Sequence, residues 1–143
     1  MLLKLLLLNL VLAAYLTGVI WMVQLTHYPG FAQVPAAGFG AFHQAHLRRM
    51  GWVVMGPMVA ELGLSGWLAW VGRALGPAVW WSLALVVGIW LVTFFISVPF
   101  HNRLTRDGYN YITIDGLVRT NWLRTLAWTL RLLVLSFLLW QQL

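Results

Sequence analysis

Apolar residues along this chain come in four long, nearly uninterrupted runs, not in the alternating or one-sided patterns of a soluble fold. Residues 5–26 and 78–100 carry no charge, residues 50–72 carry only Glu61, and residues 122–142 carry only Arg124 and Arg131. A helix needs about 20 predominantly apolar residues to cross the hydrocarbon core of a bilayer. Membrane-barrel strands would read as short alternating segments separated by turns, which is not the pattern here. The runs therefore predict an all-α, integral membrane four-helix bundle with up-down-up-down topology, and a single domain over residues 1–143. No repeat, low-complexity tract or linker divides it. The first run follows Lys4 and outlasts the 7–15 apolar residues typical of a secretory signal, so it reads as an uncleaved span.

The polar interruptions predict the connections. Gly72, Gly76 and Pro77 stop one helix and start the next, giving a tight hairpin between the second and third spans. Tyr28-Pro29-Gly30 ends the first span, and the second helix is expected to start soon after Pro35, carrying His43 and His46 on turns outside the bilayer. Two substantial connections, residues 27–49 and 101–124, fall on one side. They hold Arg48, Arg49, Arg103, Arg106, Arg119 and Arg124, against Lys4 and Arg73 on the other side. The positive-inside rule then makes this a protein of the cytoplasmic membrane, with both long connections in the cytoplasm and both termini outside.

Composition agrees. Hydrophobic residues make up 62% of the chain and charged residues 8%, against roughly 45–50% and 25% in soluble domains. The net charge of +6 gathers at the ends of apolar runs, which favours membrane orientation over nucleic acid as a partner. Trp52, Trp80, Trp81, Trp122 and Trp140 lie near span ends, as in interfacial aromatic belts. Cysteine is absent, which removes disulfides and thiolate metal sites.

Two ionisable side chains fall deep inside spans. At 1.5 Å per residue Glu61 lies about 18 Å beyond Arg49, and Arg131 about 10 Å beyond Arg124, so the two meet near mid-membrane. A lone charge there costs at least about 2.5–3.5 kcal/mol. An ion pair that fixes helix packing is one reading; Glu61 as a proton-handling catalytic group is the other.

All four histidines map to one membrane face. His27 closes the first span, His101 closes the third, and His43 and His46 share a helix face three residues apart. Helical phase also places His43 and Glu61 on one stripe, with Met50, Val54 and Pro57 between them. Imidazoles converging from separate helices suit a single transition metal, iron, copper or zinc; a di-iron cluster would be short of ligands. The bland alternative is interfacial hydrogen bonding to lipid headgroups, water or loop carbonyls.

The C-terminal half carries a more specific pattern: Val98-Pro99-Phe100-His101-Asn102-Arg103-Leu104, then Asn121-Trp122-Leu123-Arg124-Thr125. With the Tyr28-Pro29 exit and the His46-containing start of the second helix, it resembles the anthrone-oxygenase-like family of small four-helix membrane proteins. Pro99, Asn102, Leu104, Asn121, Arg124 and Thr125 match that family's pattern; His101 stands where an asparagine is usual and Trp122 where a histidine is frequent. The resemblance implies oxidation by molecular oxygen of a lipid-soluble aromatic or quinone-like compound. His46, Glu61, Asn102, Asn121 and Arg124 are the candidate catalytic residues, with Asn102 and Asn121 expected to exchange amide hydrogen bonds between helices three and four. Partners would be membrane lipids and a hydrophobic small molecule. The competing reading is a non-catalytic membrane module, such as an assembly factor, complex subunit or carrier, with Gly56 and Ala60 allowing a close-packed homo-oligomer.

Overall fold

In a computed structural model covering residues 1–143, the chain forms four long helices and no strand. We number them α1 (Leu2–Gln33), α2 (Ala36–Val71), α3 (Pro77–Asp107) and α4 (Tyr111–Trp140); each is long and apolar enough to cross a membrane. They pack as an up-down-up-down bundle, which fits an integral membrane protein.

The helices outrun the apolar runs that announce them. What the sequence suggests are two substantial connections turn out to be mostly helix: α1 and α2 are joined through Val34 and Pro35, α3 and α4 through residues 108–110. Apolar runs measure the thickness of lipid, not the length of a helix. At 1.5 Å per residue a 32-residue helix such as α1 exceeds the roughly 30 Å hydrocarbon core by about 18 Å, and the end beyond the apolar run mixes polar residues such as His27 and Gln33 with apolar ones. The start of α2 at Ala36 does fall where Pro35 places it.

Local chemistry sets the boundaries. Gly108 ends α3 at φ 75°, ψ −150°, a backbone region that only glycine enters without strain. Asn110 then caps α4, its side-chain oxygen accepting from the Thr113 N–H at 2.9 Å. Gly76 at φ 87° and Pro77 restart the chain as α3 in the same manner. Within α1 and α3 a single wide turn, Val23–His27 and Thr93–Ser97, comes just before Tyr28-Pro29 and Val98-Pro99. Proline lacks the N–H a regular turn requires and its ring crowds the carbonyl four residues back; widening the preceding turn absorbs both problems while the helix continues.

The outside of the bundle is as apolar as the inside. Leu7, Val11, Trp67, Phe95 and Leu133 are all exposed, as expected of helices whose solvent is lipid. The interior holds two apolar clusters, one around Phe31, Phe39 and Trp128 and the other around Leu6, Leu68 and Leu135. Between them lies a polar layer. Arg131 Nη1 donates to Glu61 Oε1 at 2.7 Å, and Arg131 Nη2 donates to Ser65 Oγ at 2.7 Å and Asn9 Oδ1 at 2.9 Å. Trp128 Nε1 donates to Glu61 Oε2 at 3.1 Å. Glu61, Arg131 and Asn9 are fully buried.

Candidate functional site

At and just beyond the wide turn, His27, Tyr28 and Phe31 of α1 meet His43 and His46 of α2 and, through Tyr28, His101 of α3. All four imidazoles gather at one end. Ring centroids lie 4.7 Å apart for His27 and His46, 5.4 Å for His46 and His101, 5.3 Å for His43 and His101, and 6.0 Å for His43 and His46. Phe31, with no exposed surface, packs edge-on against His27, His43 and His46, and Phe39 stacks on His43 at 5.7 Å. The aromatic rings thus hold the imidazoles in place from the core side.

The ring nitrogens are used pairwise. His27 Nε2 and His46 Nδ1 are 2.6 Å apart, and His43 Nε2 and His101 Nδ1 are 3.0 Å apart. The Tyr28 hydroxyl lies 3.0 Å from His101 Nε2, and Thr105 Oγ1 lies 3.4 Å from His43 Nδ1. A neutral imidazole has one donor and one acceptor, so each pair is a donor meeting an acceptor. As placed, no three His, Asp or Glu side chains are arranged to hold a metal ion.

Beside this cluster, toward mid-membrane, lies a cavity of about 210 Å³. Most of its wall is apolar, including Leu16, Ile20, Val23, Val54 and Trp128, while the polar groups on it are Tyr28, His46, Thr93, Ser97, His101 and Arg124. Leu47, Met55 and Val98 of α2 and α3 belong to the wall and are also exposed on the outside of the bundle. The cavity therefore reaches the lipid-facing surface between these two helices.

Arg124 is the unusual member. It is 7% exposed, yet no carboxylate pairs with it. Its Nη1 makes two long contacts, 3.4 Å to Ser97 Oγ and 3.4 Å to Asn121 Oδ1; its Nε has no partner; and its guanidinium sits 5.3 Å over the Trp128 ring. Asp107 and Asp115, two acids within the stretch from His101 to Arg124, instead bind Arg106 and Arg119 at 2.7 Å each.

No family model, curated protein or solved structure matches the chain.

Of the sequence-derived candidates, His46, His101 and Arg124 line the cavity; His27 and His43 stand behind them as hydrogen-bond partners. Glu61 is absent from the wall and is committed to Arg131 and Trp128. The expected Asn102–Asn121 exchange is not formed. Asn102 is exposed, whereas Asn121 is buried and donates to Gln24 Oε1 at 2.9 Å. The reason is reach: α3 extends to Asp107, so Asn102 lies on an outer helix face and does not close a loop. Gly56 and Ala60 face outward from α2.

Three further residues build the site: Tyr28, which in the sequence marks only the end of the first span, and Phe31 and Gln24, which belong to no motif there. A signal exists for Phe31, which lies four residues after His27 and three after Tyr28, the spacings at which helical side chains are neighbours. Gln24 accepts from Asn121 and Thr125 and donates to the Val118 carbonyl at 3.0 Å. Through Asn121 it fixes the place of Arg124.

Proposed function

We propose that this protein is a membrane oxidoreductase of the oxygenase kind, acting on a flat, lipid-soluble aromatic or quinone-like molecule that enters the cavity from the bilayer. Arg124 carries the reading. A guanidinium buried beside an apolar cavity without a carboxylate has paid desolvation and received little for it, and an acceptor oxygen of a bound molecule would complete it. A ring-borne carbonyl or phenolate supplies that oxygen, and the apolar walls and Trp128 suit the ring.

The polar end then supplies the chemistry. With His46 donating its Nδ1 proton to His27, its Nε2 presents a lone pair to the cavity and takes the acidic C–H proton of an anthrone-like substrate. Arg124 stabilises the enolate oxygen that results. Dioxygen oxidises that carbon, and the balanced outcome is a methylene converted to a carbonyl with release of one water per dioxygen. Glu61 takes no part in this scheme. The positive end of the bundle, which we assign to the cytoplasm, is the end that holds the imidazoles.

The test is direct. Protein in phospholipid nanodiscs is incubated with anthrone in air, and dioxygen uptake is followed alongside anthraquinone formation. Equal molar consumption and formation, lost in His46→Ala and in Arg124→Gln, is the expected result. Wild-type anthrone and quinone binding in Arg124→Gln would overturn the reading.

A second reading has one observation in its favour. The His46 ring centroid lies 4.7–6.0 Å from those of His27, His43 and His101, and His43 and His101 are 5.3 Å apart, close to the spacing that ligand nitrogens about 2.0–2.1 Å from one ion impose. Modest ring rotation of His27, His43, His46 and His101 would bring their nitrogens to a single iron, copper or zinc, at the cost of both hydrogen-bonded pairs. Elemental analysis of protein purified without chelator, which must find one metal per chain, decides it.

A further inference from the structure

We infer that the molecule bound in the cavity carries a long apolar tail, with its ring head inside and its tail running out through a slot at Gly51 into the bilayer. The inference rests on the proposed reading of the cavity and deepens it. From any flat lipid-soluble molecule it narrows the ligand to a tail-bearing quinone or phenol of the membrane.

Leu47, Gly51 and Met55 follow one another at four-residue intervals, so they are neighbours along one face of α2. All three line the cavity, and Leu47 and Met55 are exposed on the outside of the bundle as well. Gly51 between them has no side chain, and a Cβ placed there would have nothing within 4 Å. The wall is therefore one side chain short where the cavity meets lipid. Across from it α3 contributes Thr93 and Ser97, the first and last residues of its wide turn, and the exposed Val98.

Hydrogen bonding ties this stretch of α2 to α1 and leaves the α3 side free. Pro57, inside α2, has no N–H to give to the Val53 carbonyl, which accepts from the Tyr15 hydroxyl of α1 at 3.1 Å. Further along, Asn9 Nδ2 of α1 donates to the Leu64 carbonyl at 3.2 Å. Between the His43 contacts with His101 and Thr105 and the Arg73–Leu75 turn, no side-chain hydrogen bond joins α2 to α3.

Size and polarity then select the occupant. A cavity of about 150 Å³ holds a single benzene ring, and pockets enclosing drug-sized ligands run to about 300–1,000 Å³. At about 210 Å³ this one takes one or two rings fully, and whatever else the molecule carries lies in the opening. The rim of that opening, Leu47, Gly51, Met55 and Val98, holds no charged or hydrogen-bonding side chain. A hydrocarbon tail passes from it to lipid without meeting water, whereas a polar tail would give up its hydration for nothing.

The test compares two ligands with one ring. Wild-type, Gly51→Ala and Gly51→Leu proteins in phospholipid nanodiscs are titrated with a methyl-naphthoquinone and with the same ring carrying an isoprenoid tail. Binding is read from the shift of the ring carbonyl infrared bands, and affinity is expressed per mole of lipid. On that scale the tail is in hydrocarbon before and after binding, so the wild type should hold the two within about threefold of each other. A leucine at position 51 fills the slot, and Gly51→Leu should bind the tailed ring at least about tenfold more weakly than the bare one. Gly51→Ala should fall between, and supplies the ratio if leucine shuts out both rings. Both variants put a better helix former into open space, so the unfolding midpoint should not drop. A tenfold preference for the bare ring in the wild type, or the same ratio in all three proteins, overturns the tail and leaves the proposed oxidation of a bare ring standing. Tail discrimination at position 51, with Arg124→Gln holding both rings at wild-type strength, upholds the slot and removes the proposed role of Arg124. Failure of the wild type to bind either ring overturns both.

Discussion

Two buried polar regions sit in the same bundle and differ in one respect. Around Arg131 the guanidinium meets a carboxylate, a serine and an asparagine at 2.7–2.9 Å, and Glu61 receives a second donor from Trp128. Around Arg124 the same group meets no carboxylate, makes two contacts at 3.4 Å, lies over the Trp128 ring and borders a cavity. Both arginines come from α4 and both are buried. Nε has no partner in either arginine, so what separates them is the carboxylate and the short bonds: a buried charge paired with a carboxylate and held at 2.7–2.9 Å by its own chain is a clamp. One whose capacity is left open, beside space, is a recognition element whose desolvation cost is recovered only when the space is filled.

Breaking the clamp should have the largest effect. Glu61→Ala leaves Arg131 buried and unpaired, and a broken buried pair typically costs about 3–5 kcal/mol. The folded yield in membranes and the midpoint of thermal unfolding should both fall sharply. Replacing both partners, Glu61→Leu with Arg131→Met, removes the stranded charge and should recover most of the loss. A double variant no better than the worse single one would show that the two side chains do not act as a pair.

Arg124→Met should do the reverse to stability. Only long contacts and the Trp128 face offset this charge, so removing it should leave the unfolding midpoint little changed or raised, while quinone binding weakens about a hundredfold, roughly 2.7 kcal/mol. Equilibrium binding and thermal unfolding on the same nanodisc sample separate the two effects. A large fall in stability would move Arg124 into the same class as Arg131.

These regions were not equally legible in the sequence. The clamp was, because an acid and a base inside spans are rare and costly, and helical rise alone brings Glu61 and Arg131 to one depth. Gathering of the histidines at one end was legible for the same reason: up-down topology dictates which helix ends are neighbours. Arg124 stands out in the sequence only through the family resemblance; by position alone it is one more basic residue of the positive end. Its inward direction depends on the rotation of α4, which the Gln24–Asn121 hydrogen bond holds, and Gln24 lies on another helix. Asn102 was misplaced because an apolar run gives no measure of how far a helix continues into water. Side-chain pairing between helices is a property of rotation and reach, and one-dimensional spacing carries little of either.

The smallest expected effect is also the sharpest form of the comparison, because the same substitution can be made beside each arginine. Ser65 and Ser97 are each 3% exposed and each offers Oγ to an arginine, Ser65 at 2.7 Å to Arg131 and Ser97 at 3.4 Å to Arg124. Ser65→Ala deletes a charge-assisted bond inside a filled network and leaves Arg131 Nη2 with Asn9 alone; the expected cost is about 1.5–3 kcal/mol. Ser97→Ala deletes a contact beyond good hydrogen-bond length and should cost about 0.5 kcal/mol or less. Ligand affinity should invert the order, with Ser65→Ala leaving quinone binding unchanged and Ser97→Ala, on the cavity wall, altering it. Equal unfolding costs for the two serines would mean that Arg124 is as well satisfied as Arg131, and the distinction between clamp and recognition element would be lost.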